Sequence, residues 1–305
     1  MKWKLIIWML ILLALILMPL WQSTANLRLL ELMLLSSVAC LGLQLKTGQA
    51  GLISLGQAGF MALGAYSTAI LLQQGWPLLL AMLVGVIIAA VIGGILGLTA
   101  SRLSGPFLAI VSLAFGIGVS TWIANTDWLG ASAGLMVPIP AFLQSENNLY
   151  YAVVAVVVFA YLTASFLSRS HWGLIWRAIR DKELLTVHLG INSNLHKSLV
   201  FGLGAAFGGL AGGLWAIYLG YLSPASFGFS LSVSLLAGLV FGGQGYLAGA
   251  VLGTSLLTLL EQNLLPAGLS GLGWMLEGLL MVIVILAFPR GLWHWIQQLW
   301  SSPSS

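Results

Sequence analysis

The sequence predicts an all-α protein, a polytopic integral membrane helical bundle in which residues 1–305 form a single transmembrane domain. The chain is 60% hydrophobic and only 6% charged, with a mean hydropathy of +1.04, whereas a soluble domain carries about 25% charged residues. Several apolar runs reach about 20 residues, the length that spans the hydrocarbon core of a bilayer. A transmembrane β-barrel would instead show alternating segments of about ten residues, and that pattern is missing.

Apolar runs follow one another along the chain and predict about ten transmembrane helices, with a range of about eight to ten. The candidate spans are 5–21, 29–45, 51–73, 77–99, 105–124, 149–168, 198–219, 229–242, 247–264 and 273–288. The eighth is short and is expected to be tilted, broken or joined to the ninth. The first also fits a signal peptide, but its apolar stretch continues through Trp21, which favours a retained span. The tail at 301–305 is expected to be disordered.

The basic residues indicate how the chain is oriented in the membrane. With the N-terminus in the cytoplasm, ten spans place ten of the eleven Lys and Arg residues on the cytoplasmic side, and only Arg28 falls outside. This asymmetry follows the positive-inside rule and predicts that both termini are cytoplasmic. The net charge of +4 therefore reports orientation, and we expect no nucleic-acid partner.

The stretch 51–73 contains more polar and small residues than a lipid-facing helix needs. Its glycines and serines fit a closely packed helix interface, but the amide of Gln57 needs a partner on another helix or in a water-filled cavity. The segment GQAGFMALGA at 56–65 is similar to GGQGYLAGA at 242–250. Either the chain contains two repeated halves, with Gln57 and Gln244 at related places, or the likeness reflects glycine content alone. The candidate residues of a translocation pathway are Ser54, Gln57 and Gln244.

The sequence contains no residue pattern of an enzyme. A phosphate-binding loop, a Ser/His/Asp grouping and an HExxH motif are all absent. We therefore predict no catalytic residue, no metal site and no cofactor, and any ATP that drives the protein would be bound by another chain. No convincing carboxylate or histidine lies near the middle of a span, which argues against a proton-coupled carrier. Arg28 and Glu31, at i,i+3, are expected to pair near the outer face.

Residues 169–197 form the only sizeable polar block and are expected to be a cytoplasmic loop. Within it, 173–189 has apolar residues at helical spacing, and Gly190 follows as a C-cap. Arg177 and Asp181, at i,i+4, would form a stabilising pair. Physical chemistry alone leaves three readings open: a solvated loop, a helix lying on anionic lipid, or a docking helix for a soluble partner.

Four stretches resemble a known family, the LivM-like permease subunits of branched-chain amino acid ABC importers. GLIWRAIRDKELLTVHLGINSNLHK is similar to the cytoplasmic loop of these proteins, which has a basic-Ala-Ile-Arg-Asp run, a glycine turn and a basic residue before the next span. The other stretches are GLISLGQAGFMALGAYSTAIL, SGPFLAIVSLAFG and LGYLSPASFGFSLSVSLLAGLVFGGQGYLAGAVLG. They occur in the family's order between residues 48 and 253. The second tryptophan of the loop, Trp176, departs from the family pattern.

The resemblance implies a permease subunit of the bacterial inner membrane that forms a pore with a second, related permease subunit. Two ATP-binding subunits would dock on the cytoplasmic loops, and a periplasmic or lipid-anchored receptor would deliver the solute, with membrane lipid around the spans. Helix 173–190 would be the coupling helix, a mechanical element that binds no nucleotide. The docking residues carried over from the family pattern are Arg177, Ala178, Ile179, Arg180, Asp181 and Gly190.

The substrate class implied by the resemblance is branched-chain or hydrophobic amino acids. Related permeases serve urea, short amides or small carboxylates, and the sequence does not separate these solutes because a receptor largely sets selectivity. An ATP-independent channel or facilitator, and a membrane scaffold without flux, are alternatives from other classes. Neither requires a partner on 173–190.

Overall fold

The computed structural model describes residues 17–100, 105–264, 291–293 and 295. Within these residues the chain is helical almost throughout, with one two-stranded sheet. The α-helices are α1 (Thr24–Leu43), α2 (Gln57–Gln73), α3 (Leu78–Ala100), α4 (Pro106–Ala124), α5 (Glu146–Arg169), α6 (His171–His188), α7 (Ser193–Leu219), α8 (Phe229–Gly242) and α9 (Leu247–Leu264). Short 3-10 turns are Met18–Leu20, Asp127–Leu129, Ala131–Ala133, Ala141–Leu143 and Pro224–Phe227. The strands are β1 (Leu135–Met136) and β2 (Tyr221–Leu222).

The predicted class, a polytopic helical membrane protein, is confirmed. Six segments of the described residues are long and apolar enough to cross a membrane, and every predicted span from 29–45 to 247–264 coincides with a helix. The chain leaves α8 through Gly243, with φ at +108°, so α8 and α9 are separate helices rather than one. The spans 5–21, for the most part, and 273–288, and the tail 301–305, lie outside the described residues.

The predicted span 51–73 is wrong in its first part, because α2 begins only at Gln57. After α1 the helix widens into a π-helical turn, Gln44–Gln49, which we call the π segment. Irregular backbone then runs to Gly56, through Gly51 with φ at +72°. At about 1.5 Å per residue, the 17 residues of α2 are shorter than the bilayer core, which is about 30 Å thick.

Side chains of neighbouring helices satisfy the polar backbone groups at this break. Ser112 Oγ of α4 accepts a hydrogen bond from Leu55 N (2.9 Å), and Ser232 Oγ of α8 accepts one from Ala58 N (3.1 Å). Leu52 N donates to the Lys46 carbonyl oxygen (2.9 Å). Irregular backbone is tolerated in a membrane protein where the protein itself supplies the partners, so the break is a built feature of the fold.

α7 lies at the centre of the bundle and packs against α1, α2 and α3. Its glycines allow backbones to approach closely, as expected where lipid offers no hydrophobic drive for helix association. A Cβ on Gly64 would overlap the carbonyl oxygen of Gly209, and one on Gly212 would overlap that of Met61. The small residues of the stretch 51–73 therefore form a helix interface, as predicted.

The end of the bundle opposite α6 is joined by the sheet and by polar contacts. β1 and β2 pair antiparallel, and Gln73 Nε2 donates to the Met136 carbonyl oxygen (2.8 Å). Arg28 pairs with Glu146 of α5 at 3.4 Å, not with Glu31 as predicted. The side chain of Glu31 turns inward and is 1% exposed, so the i,i+3 spacing was overridden by packing.

Replacing Gly64 with alanine should destabilise the protein, because a methyl group has no room against the α7 backbone. Overpacking of this kind costs about 1–3 kcal/mol, and we expect a lower midpoint of thermal unfolding in detergent. Gly118→Ala on α4 is the matched control, since a Cβ there meets nothing within 4 Å. An unchanged midpoint for Gly64→Ala would contradict the close packing of α2 on α7.

Candidate coupling and translocation site

The polar loop contains the predicted helix, with different ends and a kink. The sequence predicted 173–189, whereas α6 spans His171–His188 and is interrupted at Lys182, where φ is −155° and ψ is 85°. The half of α6 before Lys182 and the half after it therefore do not share one straight axis. No periodicity argument detects such a kink, because the apolar spacing continues across it.

The buried face of α6 holds the helix against the bundle. Trp176 is fully buried, with its ring 6.4 Å from that of Trp172 in an edge-on arrangement. Gly173 lies so close to the end of α5 that a Cβ would overlap the carbonyl oxygen of Ser168. Ile179, one of the predicted docking residues, is also buried, at 4% exposure. Trp176 and Ile179 thus hold the buried face of α6 against the bundle.

Gly190 terminates α6 as predicted. Its φ is +80°, and its N–H donates to the Val187 carbonyl oxygen (3.0 Å) while Ile191 N donates to the Thr186 carbonyl oxygen (3.1 Å). These two bonds form a Schellman motif, in which a glycine adopts the left-handed conformation without the penalty of a Cβ. The motif fixes the direction in which the chain leaves toward α7.

Arg180 connects α6 to the π segment. Its Nη1 donates to the Gly48 carbonyl oxygen at 2.6 Å, and its stem lies over Gly51, where a Cβ would come within 2.7 Å of Arg180 Cγ. Arg180 Nε also donates to Asp181 Oδ1 (3.1 Å). The predicted pairing of Arg177 with Asp181 is therefore wrong, because the neighbouring arginine takes the carboxylate.

The half of α6 after the kink exposes apolar side chains beside charged ones. Leu184 is 78% exposed and Leu189 is 79% exposed. Ala178 is exposed, and so is Asp181, at 66% of its side chain. A helix that is buried on one face and exposes apolar and charged groups on the other has the chemistry of a docking surface.

A second connection joins α6 to α7 beyond the kink. Lys197 Nζ lies 2.5 Å from Glu183 Oε1, and Lys197 is nearly buried. Thr186 Oγ1 lies 3.4 Å from Ser193 Oγ. Asn192 caps α7 by accepting a hydrogen bond from Leu195 N. The two halves of α6 are thus tied to different parts of the bundle.

Lys46 of the π segment is fully buried. Its Nζ donates to Gln57 Oε1 at 2.5 Å and lies 3.5 Å from Ser54 Oγ. The same atom lies 4.8 Å from the ring centroid of Phe60 and 4.7 Å from that of Phe201. Two aromatic faces form a favourable environment for a cation.

The amide of Gln57 has the interhelical partners that the sequence required. Gln57 Nε2 donates to the carbonyl oxygens of Ala39 in α1 (2.9 Å) and Gly204 in α7 (3.1 Å). A Cβ on Gly42 or on Gly208 would lie 3.0 Å from this nitrogen, so these glycines leave room for the amide. Gln57 therefore bridges three helices.

Gln244, the third candidate of the translocation pathway, lies apart from Gln57 and is exposed. Gln57 is the first residue of α2, whereas Gln244 lies in the turn before α9, so the two glutamines are not in equivalent environments. With its amide oxygen facing them, Gln44 accepts hydrogen bonds from Gly245 N (2.6 Å) and Tyr246 N (2.7 Å). This turn is thereby attached to the π segment.

Sequence reasoning found Ser54 and Gln57 but missed Lys46, which we had counted only as a loop charge that reports orientation. The one available signal was its position directly after an apolar span and 11 residues before Gln57. In the part of the chain that the structure describes, no group of three or more His, Cys, Asp or Glu side chains is arranged to hold a metal ion.

Comparison with known proteins places the chain among membrane transport proteins. Residues 26–287 match the family described as "Branched-chain amino acid transport system / permease component". LivM of Escherichia coli strain K12, a "High-affinity branched-chain amino acid transport system permease protein", is 30% identical over 282 residues, which cover 83% of this chain and 66% of LivM.

Two further relatives extend the comparison. LivH of the same strain, also named a high-affinity permease protein, is 27% identical over 72% of this chain and 76% of its own. The "Probable branched-chain amino acid transport permease protein LivM" of Methanocaldococcus jannaschii is 26% identical over 70% of this chain and 68% of its own. The chain thus spans 66% of the length of the Escherichia coli LivM. No solved structure matches it.

Gly190→Ala should weaken the end of α6, because a residue with a Cβ pays about 1–2 kcal/mol in the left-handed conformation. We expect faster amide exchange across 183–191 with little change elsewhere. Gly190→Asn is the matched control, since asparagine tolerates this conformation better. Equal exchange in the alanine variant and the unchanged protein would contradict the role of the Schellman motif.

Proposed function

Because the chain belongs to the family of branched-chain amino acid transport permease components, we propose that it is the membrane-spanning subunit of an ATP-binding cassette importer. In this role it passes branched-chain or other hydrophobic amino acids inward across the bacterial inner membrane. The observation that carries this function is the structure of α6. One face of this helix is buried against the bundle, and the opposite face exposes apolar and charged side chains. ATP hydrolysis takes place on separate chains that dock there.

The pore is formed with a second permease subunit. The relatives named LivM and LivH are both permease proteins of high-affinity branched-chain amino acid systems, and this chain is similar to both. Two similar permease chains per system favour a heterodimer. A periplasmic or lipid-anchored receptor delivers the solute to the end that carries β1 and β2.

We assign α6, together with both chain termini, to the cytoplasm. Arg177, Arg180 and Lys182 lie on α6, and Arg169 lies at the end of the preceding helix. A concentration of basic residues at one end of a helical bundle favours a cytoplasmic position for that end. An ATP-binding subunit in the cytoplasm then has direct access to the exposed face of α6.

The docking residues fall into two groups. The open group comprises Arg177, which is half-exposed, and Ala178, Arg180, Asp181 and Gly190, which are exposed. Ile179 packs beneath the helix. Leu184 and Leu189 supply apolar contact area at the far end of the face. Protein interfaces combine apolar contact area with charged groups at the rim, and this face offers both. We assign docking to the open group and anchoring to Ile179 and Trp176.

Ser54, Gln57 and Gln244 keep their proposed place beside the translocation pathway. Ser54 and Gln57 are fully buried around Lys46, while Gln244 is exposed at the α6 end. A broken helix beside a polar pathway is a recurrent arrangement in transporters. The break before α2 supports this proposal.

The experiment that tests this function is purification of the chain from its native membranes in mild detergent, followed by identification of the proteins that accompany it. We expect an ATP-binding subunit, a second permease and a solute receptor, and the receptor then serves to screen amino acids against urea, short amides and small carboxylates. Isolation of the chain alone, together with solute flux through it in liposomes without ATP, would instead establish a channel.

Replacing Arg180 and Asp181 together with alanine should abolish most ATP-stimulated uptake of labelled leucine by the assembled transporter. Loss of a charge-assisted hydrogen bond costs about 1.5–3 kcal/mol, which corresponds to roughly a ten- to hundredfold change in an equilibrium. The control is Gly118→Ala on α4, where a Cβ meets nothing within 4 Å, and it should leave uptake nearly unchanged. Uptake that survives the first double substitution would contradict docking on α6.

A further inference from the structure

We propose that Lys46 is a positioning residue that transmits displacement of α6 into the helix bundle. Its buried amino group ties the π segment, which Arg180 holds to α6, to Gln57 and through Gln57 to α1 and α7. This role rests on the proposed function, since it names the residues by which an ATP-binding subunit docked on α6 would act on the membrane-spanning helices.

The contacts form one continuous series from the surface of the protein to its centre. Arg180 Nη1 binds the Gly48 carbonyl oxygen at 2.6 Å, and Gly48 and Lys46 belong to the same π segment. Lys46 Nζ binds Gln57 Oε1 at 2.5 Å. Gln57 Nε2 then binds the carbonyl oxygens of Ala39 (2.9 Å) and Gly204 (3.1 Å). Apart from the backbone between Gly48 and Lys46, each step is a directional hydrogen bond rather than an apolar contact.

The chemistry of this link exceeds what packing alone requires. A buried amino group is costly unless it is well bound, and well-packed apolar residues in place of a buried polar pair are often equally or more stable. Among the described residues no carboxylate pairs with Lys46. The protein instead encloses it between Gln57, Ser54 and the faces of Phe60 and Phe201. A directional link explains this arrangement, whereas simple cohesion does not.

The backbone around Lys46 also departs from ordinary helix geometry. π-helical turns occur frequently at functional sites, and the turn here is followed, after Ala50, by Gly51 in a positive-φ conformation. A Cβ on Gly51 would come within 2.7 Å of Arg180 Cγ, so glycine allows Arg180 to lie against the end of the segment. The π segment is thus shaped to receive α6 on one side and Gln57 on the other.

The test compares Lys46→Met with the double variant Lys46→Met, Gln57→Met in the transporter purified with its accompanying chains. Leucine uptake and ATP hydrolysis are measured on the same proteoliposomes with receptor present. The single variant leaves the Gln57 acceptor unpaired, whereas the double variant removes both partners and should recover stability. We expect both variants to hydrolyse ATP. The amount of leucine transported per ATP should fall by a factor of about three or more.

Ser198→Ala is the matched control, because Ser198 Oγ makes a buried bond from α7 to the Gly94 carbonyl oxygen (2.7 Å) outside this series. The Ser198→Ala variant should have the same ratio of leucine uptake to ATP hydrolysis as the unchanged transporter. A double variant that unfolds normally and keeps the same ratio would overturn the role of Lys46, while leaving the proposed function intact. Absence of ATP-driven uptake in the unchanged transporter would overturn the proposed function instead.

A second measurement requires no substitution and decides the question even if the variants fail to assemble. Amide hydrogen exchange is followed in the unchanged transporter with and without ATP and vanadate. Displacement carried through Lys46 should alter exchange at 44–60 together with 171–188. A change that is confined to 171–188 would refute the transmission.

Discussion

Polar backbone in an apolar solvent must find its partners inside the protein, and the structure around residues 44–56 depends on this constraint. Here the chain leaves the regular helix between α1 and α2. Ser112 and Ser232, from two other helices, accept the freed N–H groups. These hydrogen bonds join α4 and α8 to the chain at the break and at the start of α2.

Glycine residues and the Gln57 amide hold different parts of α2 against its neighbouring helices. Along the outer part of α2, Gly64 meets Gly209 backbone to backbone, and cohesion comes from close contact. At the start of α2, Gly42 and Gly208 leave a space that the Gln57 amide occupies. Close backbone contact therefore holds the outer part of α2, whereas hydrogen bonds hold its start, where α1, α2 and α7 come together. The change occurs near Lys46, whose amino group binds the Gln57 amide oxygen.

Much of the helical architecture could be predicted from the sequence, because most of the helices are long apolar runs with polar residues between them. The boundaries of α8 and α9 were predicted to the residue. The break before α2 could not be, since residues 51–56 are as apolar as a span and their backbone partner Ser112 lies 57 residues from Leu55 along the chain. Hydropathy measures composition and carries no information on such partners.

The candidate site shows the same limit. Gln57 was identifiable because an amide in an apolar run demands a partner, but the identity of that partner was a tertiary property. The position of Lys46 at the end of a span satisfies the positive-inside rule, so its sequence context gives no sign of burial. The pairing of Asp181 was likewise decided by the position of Arg180 over the π segment, which helical spacing does not encode. Hydropathy and helical spacing therefore identified candidate residues but did not predict which residues contact one another.

The kink at Lys182 gives the two attachments of α6 different mechanical meanings. Before the kink, Arg180 is bound to the π segment; after it, Glu183 is bound to Lys197 at the start of α7. A straight helix would convey any displacement equally to both attachments. A helix interrupted between them can turn one half while the other stays in place. Under the proposed function, a partner that grips the exposed leucines after the kink pulls directly on α7, whereas one that grips Asp181 acts through Arg180 and Lys46 on α2. The place where the partner binds along α6 therefore decides which helices of the bundle respond first.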